Sequence, residues 1–286
     1  MAEWTFRGAD GESLVADAEG PQSGPIVLLA HGGGQTRHAW RRTATTLGRL
    51  GWRTLALDLR GHGDSEWSAA GHYRVDDFAA DLVAVADQLD DAPAVVGASL
   101  GGLAGLLAEG EQRPGSFASL TLVDIAPTME PGGVAKVMGF MGAHLETGFA
   151  SLDEAAAVIS GYTQKQRGRS ESSGLARYLR RGGDGRYRWH WDPRFITSVT
   201  TTSGENRQSR LAEAATNLKL PVHLVRGGMS DLVSEEGAAD FRRLVPHAAY
   251  TDIAGAGHMV VGDRNDAFCA AIAEFLGPAC SSRQHK

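Results

Sequence analysis

The chain lacks the features of a disulfide scaffold, a membrane protein or a nucleic-acid binder. Its 286 residues include only two cysteines, Cys269 and Cys280. They lie near the C-terminus with helix-like sequence between them, too far apart for an easy bridge, so free thiols in a reducing compartment are expected. No stretch approaches the roughly 18 apolar residues of a spanning helix. The N-terminus, Met1-Ala2-Glu3-Trp4-Thr5, has neither a basic n-region nor an apolar h-region. A cytoplasmic location without a membrane partner follows as the expectation. The net charge is only -6, from 28 Lys and Arg against 34 Asp and Glu, which gives no general attraction to nucleic acid. Ten prolines and the lack of a G-X-Y period exclude collagen, and 42% hydrophobic residues exclude a disordered chain. No G-x-x-x-x-G-K-[ST], H-E-x-x-H or paired C-x-x-C occurs, so no metal or cofactor is expected.

Glycine, by contrast, is in surplus: 37 residues, roughly 13% where about 7% is usual. Its placement follows a rhythm. After a hairpin-like stretch from Trp4 to Ala18, short apolar runs (Ile26–Ala30, Thr54–Leu59, Ala94–Ala98, Leu120–Ile125) alternate with helix-like stretches (His38–Leu50, Val75–Leu89, Leu100–Glu109). The runs are rich in Val, Ile and Leu and alternate little, as strands buried on both faces of a parallel sheet do. Strands alternating with helices predict an α/β sheet with right-handed crossovers. The rhythm stops after Asp124-Ile125-Ala126-Pro127 and resumes at Pro221, which predicts an inserted, mainly helical segment.

Gly97-Ala98-Ser99-Leu100-Gly101 matches G-x-S-x-G, a strand-to-helix turn so tight that only glycine fits two residues either side of an exposed serine. The pattern is short enough to arise by chance in a glycine-rich chain. Here it follows Ala94-Val95-Val96 and leads into a helix-forming run, as the mechanism requires, so Ser99 is the candidate nucleophile. Together with His31-Gly32-Gly33, Asp58-Leu59-Arg60-Gly61-His62-Gly63-Asp64-Ser65, Gly227-Gly228-Met229-Ser230-Asp231 and Gly255-Ala256-Gly257-His258, the chain resembles the α/β-hydrolase fold family. The similarity is to the branch with a helical cap and spans nearly the whole length.

A serine hydroxyl needs a base, and the base a carboxylate to orient it. The resemblance implies His258, in the glycine-rich loop before the last helix, as the base. For the acid it favours Asp231, in the chain order Ser, Asp, His. Asp124 at the end of the preceding strand is the alternative, since some relatives draw their acid from there. Backbone N–H groups of Leu100 and Gly33 are the expected oxyanion donors, with Gly34 open because three consecutive glycines blur the register. A rival reading takes Gly32-Gly33-Gly34 as half of a dinucleotide-binding G-x-G-x-x-G, with Asp58 as the ribose acid. Arg37 stands where that motif needs a small residue, and the rival leaves Ser99, Asp231 and His258 without a role.

The implied architecture is an α/β-hydrolase core, residues 1–126 and 213–279, with a cap at 127–212 and a tail at 280–286. Gly34, Met138, Met141, Trp189, Trp191 and Met259 are candidates for the substrate pocket. Gln164 to Arg194 carries nine basic and three acidic residues, either a solvated face or a clamp for a substrate carboxylate. The expected activity is cofactor-free hydrolysis of a small-molecule ester or lactone through an acyl-enzyme, by a monomer or homodimer. Carbon–carbon bond hydrolysis and perhydrolysis by the same triad types stay open, and a non-catalytic receptor is the remote alternative.

Overall fold

The computed structural model describes residues 2–163, 178–201, 205–258, 261 and 265–279. The chain opens with the antiparallel pair β1 (Ala2–Arg7) and β2 (Ser13–Glu19), then enters β3 (Ile26–Ala30). A 3₁₀ turn at Arg37–Trp40 runs into α1 (Arg41–Arg49), followed by β4 (Arg53–Leu57), α2 (Val75–Ala86) and β5 (Ala94–Ala98). Next come α3 (Leu100–Leu107) and β6 (Ser119–Val123). An inserted segment follows: α4 (Pro131–Gly142), α5 (Leu152–Thr163), the hairpin β7 (Leu179–Arg181) and β8 (Tyr187–Trp189), and α6 (Pro193–Thr201). The chain then returns through α7 (Glu205–Asn217), β9 (Val222–Gly227), α8 (Glu235–Leu244), β10 (Ala249–Ile253) and α9 (Asn265–Leu276).

The main sheet has eight strands in the order β1-β2-β4-β3-β5-β6-β9-β10, antiparallel through β2 and β4 and parallel from there on. This is the α/β-hydrolase architecture expected. Every residue of β3, β5, β6 and β9 is buried, because helices cover both faces. The pleat divides β3 between two cores. Ile26, Leu28 and Ala30 join Phe78, Leu82, Leu103 and Phe241 on one face, and Val27 and Leu29 join Trp40, Leu47, Phe268 and Ile272 on the other.

The apolar runs foretold these strands closely, and the departures are physical. β4 and β6 stop at Leu57 and Val123, just before Asp58 and Asp124, whose carboxylates turn inward to accept backbone and side-chain hydrogen bonds. The helix expected from His38 begins only at Arg41, after the 3₁₀ turn. α7 packs on α3 and α8, so the boundary expected at residue 212 falls inside a helix seated on the core. Cys269 is a buried thiol whose Sγ lies 3.6 Å from Thr43 Oγ1, and Cys280 lies outside the described residues.

Two polar clasps fix the loops around the strand ends. Fully buried Arg60 grips Asp81 of α2 through Nε and Nη2, both at 2.6 Å, and reaches Asp10 at 2.8 Å. The inserted segment docks through Asp192, which accepts from Tyr73 Oη at 2.7 Å and donates its N–H to Gly61 O at 3.0 Å. Arg194 adds a bond to Ser68 O at 2.8 Å.

Candidate active site

Ser99 stands on the turn between β5 and α3 with φ +46° and ψ -110°, a conformation that costs a non-glycine residue of order 1–3 kcal/mol. The surrounding glycines are compelled by close backbone approach. A Cβ on Gly97 would come within 2.5 Å of Gly101 C, and one on Gly101 within 2.7 Å of the Ala30 carbonyl carbon. The serine is thereby lifted off the strand end and its N–H tied to Val123 O at 3.2 Å.

Asp124 directly follows the neighbouring strand, β6, and is fully buried with φ +48°. A buried carboxylate must be compensated, and this one is. Its Oδ1 accepts from Gly227 N–H at 3.0 Å, and its Oδ2 from Ser230 Oγ at 2.6 Å. His258 Nδ1 approaches the same Oδ2 at 2.7 Å. Because a carboxylate only accepts, the neutral ring carries its proton on Nδ1 and leaves the Nε2 lone pair open to take another. The expected Asp231–His258 pair is not formed. Asp231 is 44% exposed, and its carboxylate binds Lys136 Nζ of α4 at 2.6 Å. The loop after β9 turns Ser230 inward instead, so the residue before Asp231 meets the buried acid. Sequence reasoning missed Ser230. The inward-facing acid had one available signal, namely an aspartate ending a fully apolar strand.

The glycine run after β3 is held peptide by peptide. His31 Nδ1 donates to Gly32 O at 2.7 Å while its Nε2 accepts from Leu59 N–H at 3.1 Å. Gly32 N–H goes to Gln35 Oε1 at 3.1 Å, and Gly34 N–H to His62 Nε2 at 3.1 Å. Gly33 N–H meets no acceptor among the described residues. Leu100 N–H, at the first position of α3, has no intrahelical acceptor by geometry. The two N–H groups are thus available in the loops that meet at Ser99, where a Cβ on Gly32 would lie 3.4 Å from Ser99 Cβ. Gly34, whose N–H is committed to His62, is not available in this way.

Residues 25–264 match the family model described as alpha/beta hydrolase fold. The chain belongs to the alpha/beta hydrolase fold family. It is 30% identical over 253 residues to Esterase Rv0045c of Mycobacterium tuberculosis, covering 85% of this chain and 79% of that one. It is 28% identical over 254 residues to a 3-hydroxybutyrate-oligomer hydrolase of Cupriavidus necator, covering 83% and 84%. Among solved structures, an alpha/beta hydrolase of Novosphingobium aromaticivorans superposes with a TM-score of 0.78 at 25% identity, covering 96% of this chain and 97% of that one.

In this alpha/beta hydrolase the inserted segment closes over the glycine loop with apolar side chains. Met141 Cε lies 3.3 Å from where a Gly33 Cβ would stand, and Phe195 Cζ 3.1 Å. The Trp191 ring edge lies 3.2 Å from a Gly34 Cβ. Phe195, which the sequence did not single out, meets the glycine loop as Met141 does. Trp189 stacks on Trp191 at 4.6 Å, packs against Phe140 and Phe149 and donates Nε1–H to Ala143 O, so it belongs to the inserted segment's own core. Met138 is half-buried against the same core, and Met259 lies outside the described residues.

The dinucleotide alternative finds no free acid. Asp58 is fully buried and accepts from Arg37 N–H at 2.6 Å, from the Arg37 guanidinium and from Asp64 N–H at 3.0 Å. Of the basic stretch, 164–177 lie outside the described residues. Arg180, Arg186, Arg188 and Arg194 bond to Gly63 O, Thr147 O, Asp184 and Asp192, and Arg181 lies over the Tyr187 ring. Among the described residues no group of three His, Cys, Asp or Glu side chains could hold a metal ion, and no helix is long and apolar enough to cross a membrane.

Proposed function

We propose that this hydrolase cleaves carboxylic esters or lactones through an acyl-enzyme on Ser99. That it acts on esters follows from its family and its 30% identity to an esterase over most of both chains. The observation that carries the mechanism is the 2.7 Å contact of His258 Nδ1 with the buried Asp124 carboxylate, one strand from a serine on a strained turn. Ser99 Oγ attacks the carbonyl carbon as His258 Nε2 takes its proton. Asp124 holds the imidazole in the tautomer that can accept, and Gly33 and Leu100 N–H stabilise the oxyanion. The proton returns to the leaving alcohol, and water repeats the sequence to release the acid.

In this reading Asp124 replaces Asp231 as the third member, and the segment between β6 and α7 acts as the cap. Met141, Trp191 and Phe195 form an apolar ceiling above the oxyanion loop, which suits an uncharged acyl or alcohol group. The arginines described within 178–194 are engaged by protein partners, which weighs against a carboxylate clamp built from them. Activity on p-nitrophenyl butyrate should fall by about 10⁴–10⁶ in Ser99→Ala, as other triad losses do. A variant as active as the parent would refute the nucleophile.

A further inference from the structure

We propose that His190, contributed by the inserted segment, is a positioning residue for oxyanion binding: with His62 it holds both polar atoms of Gly34 and so fixes the adjoining Gly33 N–H. The inference rests on the reading of Gly33 as an oxyanion donor. Three consecutive glycines have no side chains to restrict their backbone, and an oxyanion donor stabilises only if its direction is set in advance. Here the direction is set from outside. His62 Nε2 accepts the Gly34 N–H at 3.1 Å, and His190 Nε2 lies 3.3 Å from Gly34 O.

The tautomers are forced. His62 must carry its proton on Nδ1, which faces Arg60 O at 2.9 Å. His190 Nδ1 accepts from Gly63 N–H at 2.8 Å, so its proton is on Nε2, pointing to Gly34 O. The rings of His31, His62 and His190 form a row with centroids 5.2 and 5.9 Å apart. Burial keeps all three imidazoles neutral, pushing each down to about 3, which matches the one donor and one acceptor each must supply. Phe195 packs edge-on against His62 at 4.9 Å, so the same segment that covers the loop braces the ring beneath it. His190 is thus a bridge. It bonds the loop after β3 and the loop after β4 at once, and the donor geometry is complete only with the inserted segment seated.

Two substitutions separate the role from general packing. In His190→Asn the shorter amide keeps an acceptor for Gly63 N–H and loses the reach to Gly34 O, whereas in His190→Gln the amide nitrogen reaches the Nε2 position. On p-nitrophenyl butyrate, His190→Asn should lose about 10- to 100-fold in kcat with KM within about threefold, somewhat less than deletion of a whole oxyanion donor. Affinity for an alkyl trifluoromethyl ketone, whose hemiketal places an oxyanion in the same hole, should fall by the same factor. His190→Gln should recover most of both. Thermal unfolding is followed in parallel, and if His190→Asn fails to fold, the pair His62→Asn and His62→Gln reports on the other side of Gly34 with the same expected pattern. Equal impairment of the Asn and Gln variants, or a loss confined to KM with ketone affinity intact, would overturn the proposal. Should the parent ignore the ketone and Ser99→Ala stay active, the serine mechanism itself fails, which is a different result.

Discussion

Replacing Asp124 by asparagine tests the acid assignment through a specific rearrangement. Oδ1 of Asp124 is held by Gly227 N–H at 3.0 Å, so an asparagine placed there keeps its carbonyl on that bond and turns its NH₂ toward His258 and Ser230. An NH₂ opposite Nδ1 forces the imidazole to present a lone pair on Nδ1 and carry its proton on Nε2. In that tautomer the ring cannot take the proton of Ser99. The same exchange in a comparable serine triad lowers kcat about 10⁴-fold, or about 5 kcal/mol of transition-state stabilisation, with the geometry intact. Asp231→Asn, at a carboxylate 44% exposed and paired with a half-exposed lysine, should change kcat less than about twofold and stability by under about 1 kcal/mol. Steady-state hydrolysis of p-nitrophenyl butyrate by the two purified variants decides the matter. Full activity in Asp124→Asn, or a collapse in Asp231→Asn, would refute the assignment.

Other consequences concern stability. Burial pushes His31, His62 and His190 down to about 3 and His223 to about 4, while in the unfolded chain each titrates near 6.5. The unfolded state therefore binds more protons over that window. Stability is full above about pH 6.5 and falls as pH drops toward 4, by up to about 1.4 kcal/mol per pH unit for each histidine. Urea midpoints should drop steeply between pH 7 and pH 5, and a flat profile would contradict the neutral buried rings. Arg60→Met strands the buried Asp81 carboxylate and should cost about 3–5 kcal/mol, with Arg60→Met/Asp81→Leu recovering most of it in the same denaturation assay. If the single variant matched the parent in stability, the clasp would have no energetic role.

The fold was legible because its signals are local. An apolar run bounded by turn residues, such as Ile26–Ala30 or Ala94–Ala98, becomes a strand with those same limits, and the steric demand at Gly97 and Gly101 fixes where Ser99 must stand. The carboxylate partner of His258 was not legible in the same way. Asp124 and Asp231 both end a strand-and-turn pattern of the right type, and the choice depends on how the Gly227–Asp231 loop folds back. A one-residue difference in that loop decides whether Ser230 or Asp231 meets the interior. His190 was hidden for a related reason: it lies far along the chain, in the insertion, and only docking brings it to Gly34. The register of the glycine run was likewise a tertiary fact, since Gly33 is left free only because Gln35 and His62 take the neighbouring N–H groups.

The proposed mechanism stands or falls on a covalent intermediate at Ser99. Reaction with a fluorophosphonate followed by peptide mass mapping should place a single adduct per chain on Ser99, with esterase activity lost in proportion to labelling and no adduct in Ser99→Ala. A protein that keeps its activity with Ser99 fully modified, or that carries its adduct on another residue, would contradict it.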